Sequence, residues 1–383
     1  MLIKNMIKIP LLTKPMLKKP LLRKSFLQEE ILSSCKKNNK NRISCLLSVN
    51  ADIETTDKIG NSLLHISVLN KNYDMVNFLL KNKANINKRG NLSTGDTALM
   101  MAFKNKDQNI INLLLKNNAD AMAYNYEGIN SLLYCLINNR YYLFNTLIDY
   151  GGKINLKYKR LNYDTVLLYS VLHKPLNIIK YLVNKSADVN IANNDNISPL
   201  INSVKRNDIK ITKYLLKNDS DVYHKDCELQ TAFFNSILYS DFKISKLLLK
   251  YNSDIDDINI HGETPLMYTS RNGNLTIIKF LLKNKADINK KSMMGRNILS
   301  ISVENSNPLI LDFFIKKRIN INSVDDYNRT PIYWAVKYRN EKCISLLLKN
   351  KANIEIKDRR GKTPLQLSID NQCNNITKLL FKK

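Results

Sequence analysis

Residues 261–289 read HGETPLMYTSRNGNLTIIKFLLKNKADIN, and two short helices are written in them. Thr264 offers a hydroxyl to cap a helix, and Pro265 takes the first helical position, where a missing N–H costs nothing. Leu266, Thr269 and Ser270 then share one side of that helix at i, i+3 and i+4. Asn272, Gly273 and Asn274 break it. Ile277, Ile278, Leu281 and Leu282 repeat the apolar spacing on a second helix, which should stop near Lys285 before a turn-rich connection. Helices under about 12–15 residues are marginal in water, so stability must come from packing one pair on the next.

The rest of the chain supplies those neighbours. An apolar anchor recurs at Leu64, Leu99, Leu132, Leu167, Leu200, Phe233, Leu266, Leu299, Ile332 and Leu365, every 33 residues from Leu167 onward. Three residues after each stands a small side chain: Ser67, Ala102, Cys135, Ser170, Ser203, Ser236, Thr269, Ser302, Ala335, Ser368. The small column permits close helix approach, and its hydroxyls can bond a local carbonyl. Two residues before each anchor lies a preferred N-cap type, from Ser62 and Thr97 through to Thr363. A fixed period of this size means one supersecondary unit copied and stacked, each unit touching only its neighbours.

The unit resembles the ankyrin repeat, whose signature runs D-x-x-G-x-T-P-L-H-x-A, then L-L, then G-A-D-x-N. Asp57, Gly60, Ser62, Leu64, His65, Val76, Leu79, Leu80, Ala84 and Asn87 match it in one unit; Thr330-Pro331-Ile332, Thr363-Pro364-Leu365 and Lys285-Ala286-Asp287-Ile288-Asn289 match elsewhere. The resemblance implies an all-α solenoid of helix-turn-helix units with projecting β-hairpin-like loops, and a protein-binding role without catalysis. About eleven units follow, near 25–56, 57–89, 90–124, 125–157, 158–192, 193–225, 226–258, 259–291, 292–324, 325–357 and 358–383. The first is degenerate: Ile31, Ser34, Ile43 and Leu46-Leu47 fall in the right columns without a cap. The last is expected to end with its second helix, leaving no room for a C-terminal effector domain.

Departures from the signature carry predictions. The histidine survives only as His65, and the glycine after the second helix only as Gly151. Lys83, Asn118, Ser186, Asp219, Asn252, Lys285 and Lys351 stand at that helix-ending position, where φ > 0 is expected. Non-glycine residues are strained there, so each unit should be less stable than a consensus repeat, least so near Gly262, Gly295 and Gly361 and most so near Leu229.

The net charge of +27 has two readings. Lysine follows the second helix's LeuLeu pair at Lys81, Lys116, Lys217, Lys250, Lys283, Lys316 and Lys349, where a cation complements the helix dipole. Alternatively the excess attracts an acidic partner, nucleic acid or an anionic membrane. Residues 1–24 hold seven cations and no acid, with Pro10, Pro15 and Pro20 against a continuous helix; a flexible basic tail is expected. The six scattered cysteines suit a reducing, intracellular compartment, most simply the cytoplasm, and form no CxxC pair. Four histidines show no ligand spacing, no apolar run approaches the roughly 20 residues of a bilayer span, and no phosphate loop or catalytic motif is present. Neither cofactor nor metal is expected.

For a monomeric array of this kind, the resemblance places partner contacts on the first helices and the loop tips. On the helices these positions carry Lys104, Lys205, Arg206, Tyr239, Arg271, Lys337 and Tyr338. The tips add Tyr126, Tyr158, Arg160, Met293, Met294, Tyr327 and Arg359, residue types favoured at interface hot spots. Lys104, Lys205, Arg206, Arg271 and Lys337 form the candidate cluster for an acidic ligand. Trp334, the sole tryptophan, is expected to pack between neighbouring first helices. Two functions follow: a protein-binding scaffold, or an electrostatic binder of nucleic acid or anionic membrane through the tail and basic groove.

Overall fold

A computed structural model of the chain describes residues 20–238, 242–305 and 307–381. Among them the helices form eleven consecutive pairs with no strand, only isolated bridges such as Thr56 with Ser62. The first helix, Pro20–Lys36, is 17 residues long. It starts inside the stretch expected as tail, because Pro20 opens a helix at its first position instead of breaking one. Residues 1–19 lie outside the described residues.

The described residues divide into two compact units, 20–170 with 181–187 and 171–180 with 188–381. Within the first, Pro20–Lys36, Leu63–Leu69, Ala98–Asn105 and Ser131–Ile137 pack one on the next. Within the second, Pro199–Lys205, Ala232–Leu238, Pro265–Arg271, Ile298–Ser302, Pro331–Lys337 and Pro364–Asp370 do the same. In both, each first helix also packs on its own second helix.

The small column explains that packing, since all ten of its members are buried. The hydroxyls bond back to carbonyls of their own helix, as in Ser203 to Leu200 O at 2.7 Å and Ser67 to Leu63 O at 2.8 Å. In the second unit they also reach the second helix: Ser203 meets Thr212 at 3.0 Å, Ser236 meets Ser245 at 2.9 Å and Ser368 meets Thr377 at 2.9 Å. A buried hydroxyl pair of this kind satisfies both members and sets the spacing of the two helices. Ile31, Ile43 and Leu46 of the degenerate unit lie in the core as well.

Caps mark the helix starts. Thr97, Asn130, Thr165, Ser198, Thr231, Thr264, Asn297, Thr330 and Thr363 each accept the N–H three residues on. Second helices are capped too, by Asn39, Asn72, Asp107, Asp208, Asn274, Asn307 and Asn340. Asn274 is therefore the start of a helix as well as the end of a break. Where Arg140 replaces the cap, the second helix opens as a 3-10 turn, Tyr141–Leu143, before Phe144–Asp149. The helix-ending residues Lys83, Asn118, Ser186, Asp219, Asn252, Lys285 and Lys351 all have φ between 61° and 70°.

Candidate partner-binding surfaces

Seven loop tips are each built by one acidic or amide side chain. Asp57 Oδ1 accepts the amides of Ile59 and Asn61, and Asp325 Oδ1 accepts those of Tyr327 and Arg329. Asn125, Asn193, Asp226, Asn259 and Asp358 repeat the arrangement. Tips are then tied to their neighbours. In the first unit Leu92 N donates to Ile59 O (2.8 Å) and Tyr126 N to Thr94 O (2.9 Å). In the second, Ile260 N donates to Glu228 O (2.9 Å), Asp326 N to Met294 O (3.1 Å) and Arg359 N to Tyr327 O (3.0 Å). Gly262 makes the approach possible: its φ is +67°, and a Cβ there would stand 2.6 Å from Met293 N.

These tied tips present large apolar side chains to solvent. Leu92 is 72% exposed and Met293 75%, and Ile59, Tyr126, Ile260, Met294 and Tyr327 are also exposed. Holding such groups on a hydrogen-bonded edge removes much of the ordering cost that binding would otherwise carry.

The first helices carry a second pattern. The residue three before the anchor pairs with the residue five after it: Asp96 with Lys104, Glu263 with Arg271, Arg296 with Glu304 at 2.5 Å, and Lys362 with Asp370 at 2.6 Å. Arg271 also reaches Glu304 at 3.0 Å. Burial alone would push the Asp96 carboxyl up, but hydrogen bonds from Lys104, Asn125 and Thr94 hold it below the usual carboxylate range.

At the anchor Ile332 the same two columns hold Arg329 and Lys337, both cationic. Between them Trp334 is 4% exposed. Its ring lies under Arg296 (4.0 Å), Arg329 (4.3 Å) and Lys337 (4.7 Å) and stacks on Tyr338, while its Nε1–H donates to Asp325 Oδ2 at 3.0 Å. Beside it a cavity of about 500 Å³ is lined by Tyr327, Arg329, Tyr333, Lys337, Arg339, Asp358, Arg359 and Arg360, with Leu367 and Asn371. The Tyr333 hydroxyl donates to Asp358 Oδ2 (2.7 Å); burial, then that bond, pushes its pKa up to about 12. Burial and the charges of Arg329 and Arg296 hold the Lys337 ammonium below its ordinary value.

A family model described as ankyrin repeats (3 copies) matches residues 28–90, 88–158, 132–226, 204–292 and 294–383. The chain belongs to the ankyrin repeat family. It is 27% identical over 150 residues to an ankyrin repeat protein of Acanthamoeba polyphaga mimivirus, covering 39% of this chain and 19% of that relative. The chain thus spans about a fifth of the length of the curated relative it matches. The crystal structure of the ankyrin repeat domain of Bcl-3, a member of the IkappaB family, is similar with a TM-score of 0.49 and 21% identity, over 57% of this chain and 98% of that one.

Against this ankyrin framework, the sequence-derived contact residues meet different fates. Tyr126, Met293, Met294, Tyr327 and Tyr338 are exposed, and Arg160 is half-exposed, paired with Glu127 at 2.6 Å. Tyr158 is the correction: it was expected at a tip but is 1% exposed, its hydroxyl donating to Asn130 at 3.1 Å, which makes it core. The expected basic cluster is largely occupied. Lys104 and Arg271 hold the carboxylates above, Lys205 lies 3.8 Å from Asp226, and Arg206 donates to the carbonyls of Val171 (2.8 Å) and Lys174 (2.6 Å). Tyr239 lies outside the described residues. Lys337 and Arg359 meet at the cavity with Arg329 and Arg339, which sequence reasoning did not single out. Ile59, Leu92 and Ile260 were missed as well; an apolar residue within two positions of a turn glycine would have flagged Ile59 and Ile260.

Among the described residues no group of histidine, cysteine and acidic side chains could hold a metal ion, and no helix is long and apolar enough to cross a membrane.

Proposed function

We propose that this ankyrin array is a non-catalytic protein-binding module that seats a partner against its loop tips and adjoining first-helix surface. The observation that carries the reading is the set of exposed apolar tips, Leu92 with Tyr126 in one unit and Met293 with Met294 in the other, held by backbone hydrogen bonds. Solvent-exposed side chains of that size on a fixed edge are what interface cores are made from. The electrostatic alternative is less well supported, because Lys104, Lys205, Arg206 and Arg271 are engaged within the fold.

The test is affinity capture with the full chain, followed by identification of what is retained. A protein captured at moderate salt, resistant to nuclease and lost on Met293→Ser with Met294→Ser or on Leu92→Ser with Tyr126→Ser supports the reading. Binding that disappears with salt or nuclease, and is untouched by the tip substitutions, transfers the function to electrostatic recognition.

A further inference from the structure

We infer that the cavity beside Trp334 is a binding site for a short acidic segment of a protein partner, a run of aspartate or glutamate side chains. The inference rests on the protein-binding reading and specifies the chemistry of one part of it.

The argument begins with a broken pattern. Four other first helices place opposite charges three before and five after the anchor, and those charges pair. Here the positions hold Arg329 and Lys337, and no carboxylate closes the pair between them. Arg329 turns its Nε to Asp325 at 2.9 Å, leaving Nη2 buried without a hydrogen-bond partner. Around it the cavity gathers Lys337, Arg339, Arg359 and Arg360, none of which forms an ion pair among the described residues.

Five cations thus face two acids, Asp325, which pairs with Arg329, and Asp358, whose oxygens are already used. Asp358 Oδ1 accepts the amides of Arg360 and Lys362 (both 2.9 Å), and its Oδ2 takes the Tyr333 hydroxyl. An excess of charge held against low-dielectric walls attracts an anion more strongly than the same charges on an open surface. Guanidinium groups take carboxylates through paired N–H donors, and those of Arg339, Arg359 and Arg360 line the cavity.

Shape and surroundings favour a peptide over a polynucleotide. At about 500 Å³ the cavity takes roughly two or three acidic side chains. A nucleic acid needs a track of several phosphate contacts and free aromatic faces. The nearby helix cations Arg271 and Arg296 are paired to carboxylates, and the Tyr327 ring already carries Arg329 at 4.4 Å and Arg359 at 5.6 Å.

The probe is a hexaglutamate peptide titrated into the full chain, followed by calorimetry and by the emission of Trp334, whose ring packs under the cavity residues Arg329 and Lys337. Saturable binding with a change in emission is expected, with hexaglutamine inert. Arg359→Gln with Arg360→Gln, both exposed, should weaken binding about tenfold or more. Lys81→Gln with Lys116→Gln, which removes equal charge from the other unit, should leave it within about twofold. Arg339→Gln gives a second weakening should the paired variant lose helical structure. The inference is overturned if the peptide does not bind, if hexaglutamine binds as well, if the charge-matched control weakens equally, or if a hexathymidylate binds more tightly. Tip-dependent partner capture that survives any of these results would leave the protein-binding reading standing without the acidic site.

Discussion

Gly90 and the imidazole of His65 fill one space: a Cβ on residue 90 would stand 2.6 Å from His65 Cδ2. Gly90 has ordinary backbone angles, so its constraint is purely one of room. His65 in turn holds the start of its own helix, with Nδ1 2.7 Å from the Ser62 hydroxyl. Gly90→Ala should therefore destabilise the Leu63–Leu69 region by about 1–3 kcal/mol, through overpacking. Faster hydrogen exchange at the amides of residues 63–69 checks this; unchanged exchange would show that the ring moves aside without cost.

The same histidine makes stability depend on pH. Burial is the largest cause and lowers its pKa to about 4 from 6.5, against an opposing pull from the Asp96 and Lys88 backbone. The unfolded chain therefore binds the extra proton first. The contribution of neutral His65 is complete above about pH 6.5 and is lost as pH falls toward 4, by roughly 3 kcal/mol in all. A denaturation series across that window, repeated with His65→Gln, should show the slope shrink in the variant.

Leu229 sits at the tip position where other units carry glycine, with φ +58° and 45% exposure. A left-handed conformation costs a β-carbon residue about 1–2 kcal/mol, partly offset by the entropy glycine loses on folding. Leu229→Gly should stabilise the unit at 226–258 by about 1 kcal/mol, and hydrogen exchange there should slow. Equal protection of this unit and those at Gly262, Gly295 and Gly361 in the unaltered chain would contradict the gradient.

Asp325 holds the tip amides of Tyr327 and Arg329, the Arg329 guanidinium and the Trp334 indole at once. Asp325→Ala leaves the guanidinium without its carboxylate and should cost about 3–5 kcal/mol. Trp334 emission should shift to the red in the folded variant as the ring loses its fixed partner.

Thr264→Ala removes the hydroxyl that accepts Met267 N at 3.3 Å and should cost about 1 kcal/mol. A matched Thr363→Ala should cost about the same, since Thr363 makes the bond to Gln366 N at 3.2 Å. A negligible loss at both sites would mean that packing, with the prolines at the first helical position, suffices to start these helices.

How much was legible in the chain follows the range of each interaction. Caps, the small column and the positive-φ helix ends are local matters, settled within a few residues, and Thr264, Ser203 and Lys285 stand where their spacing placed them. Burial at the loop tips is different. Tyr158 and Met293 read alike along the sequence, yet one is core and the other three-quarters exposed, because neighbouring repeats, and not the residue itself, decide what covers a tip. The pairing of charges along the first helices joins residues eight apart within one repeat, whereas the cavity where that pairing fails draws on residues of two successive repeats. Local chemistry thus determined that the helices exist and where they begin and end. Tertiary packing alone decided which lysines and arginines are neutralised within the fold and which gather at the cavity beside Trp334, since a charge's partners depend on distance in space.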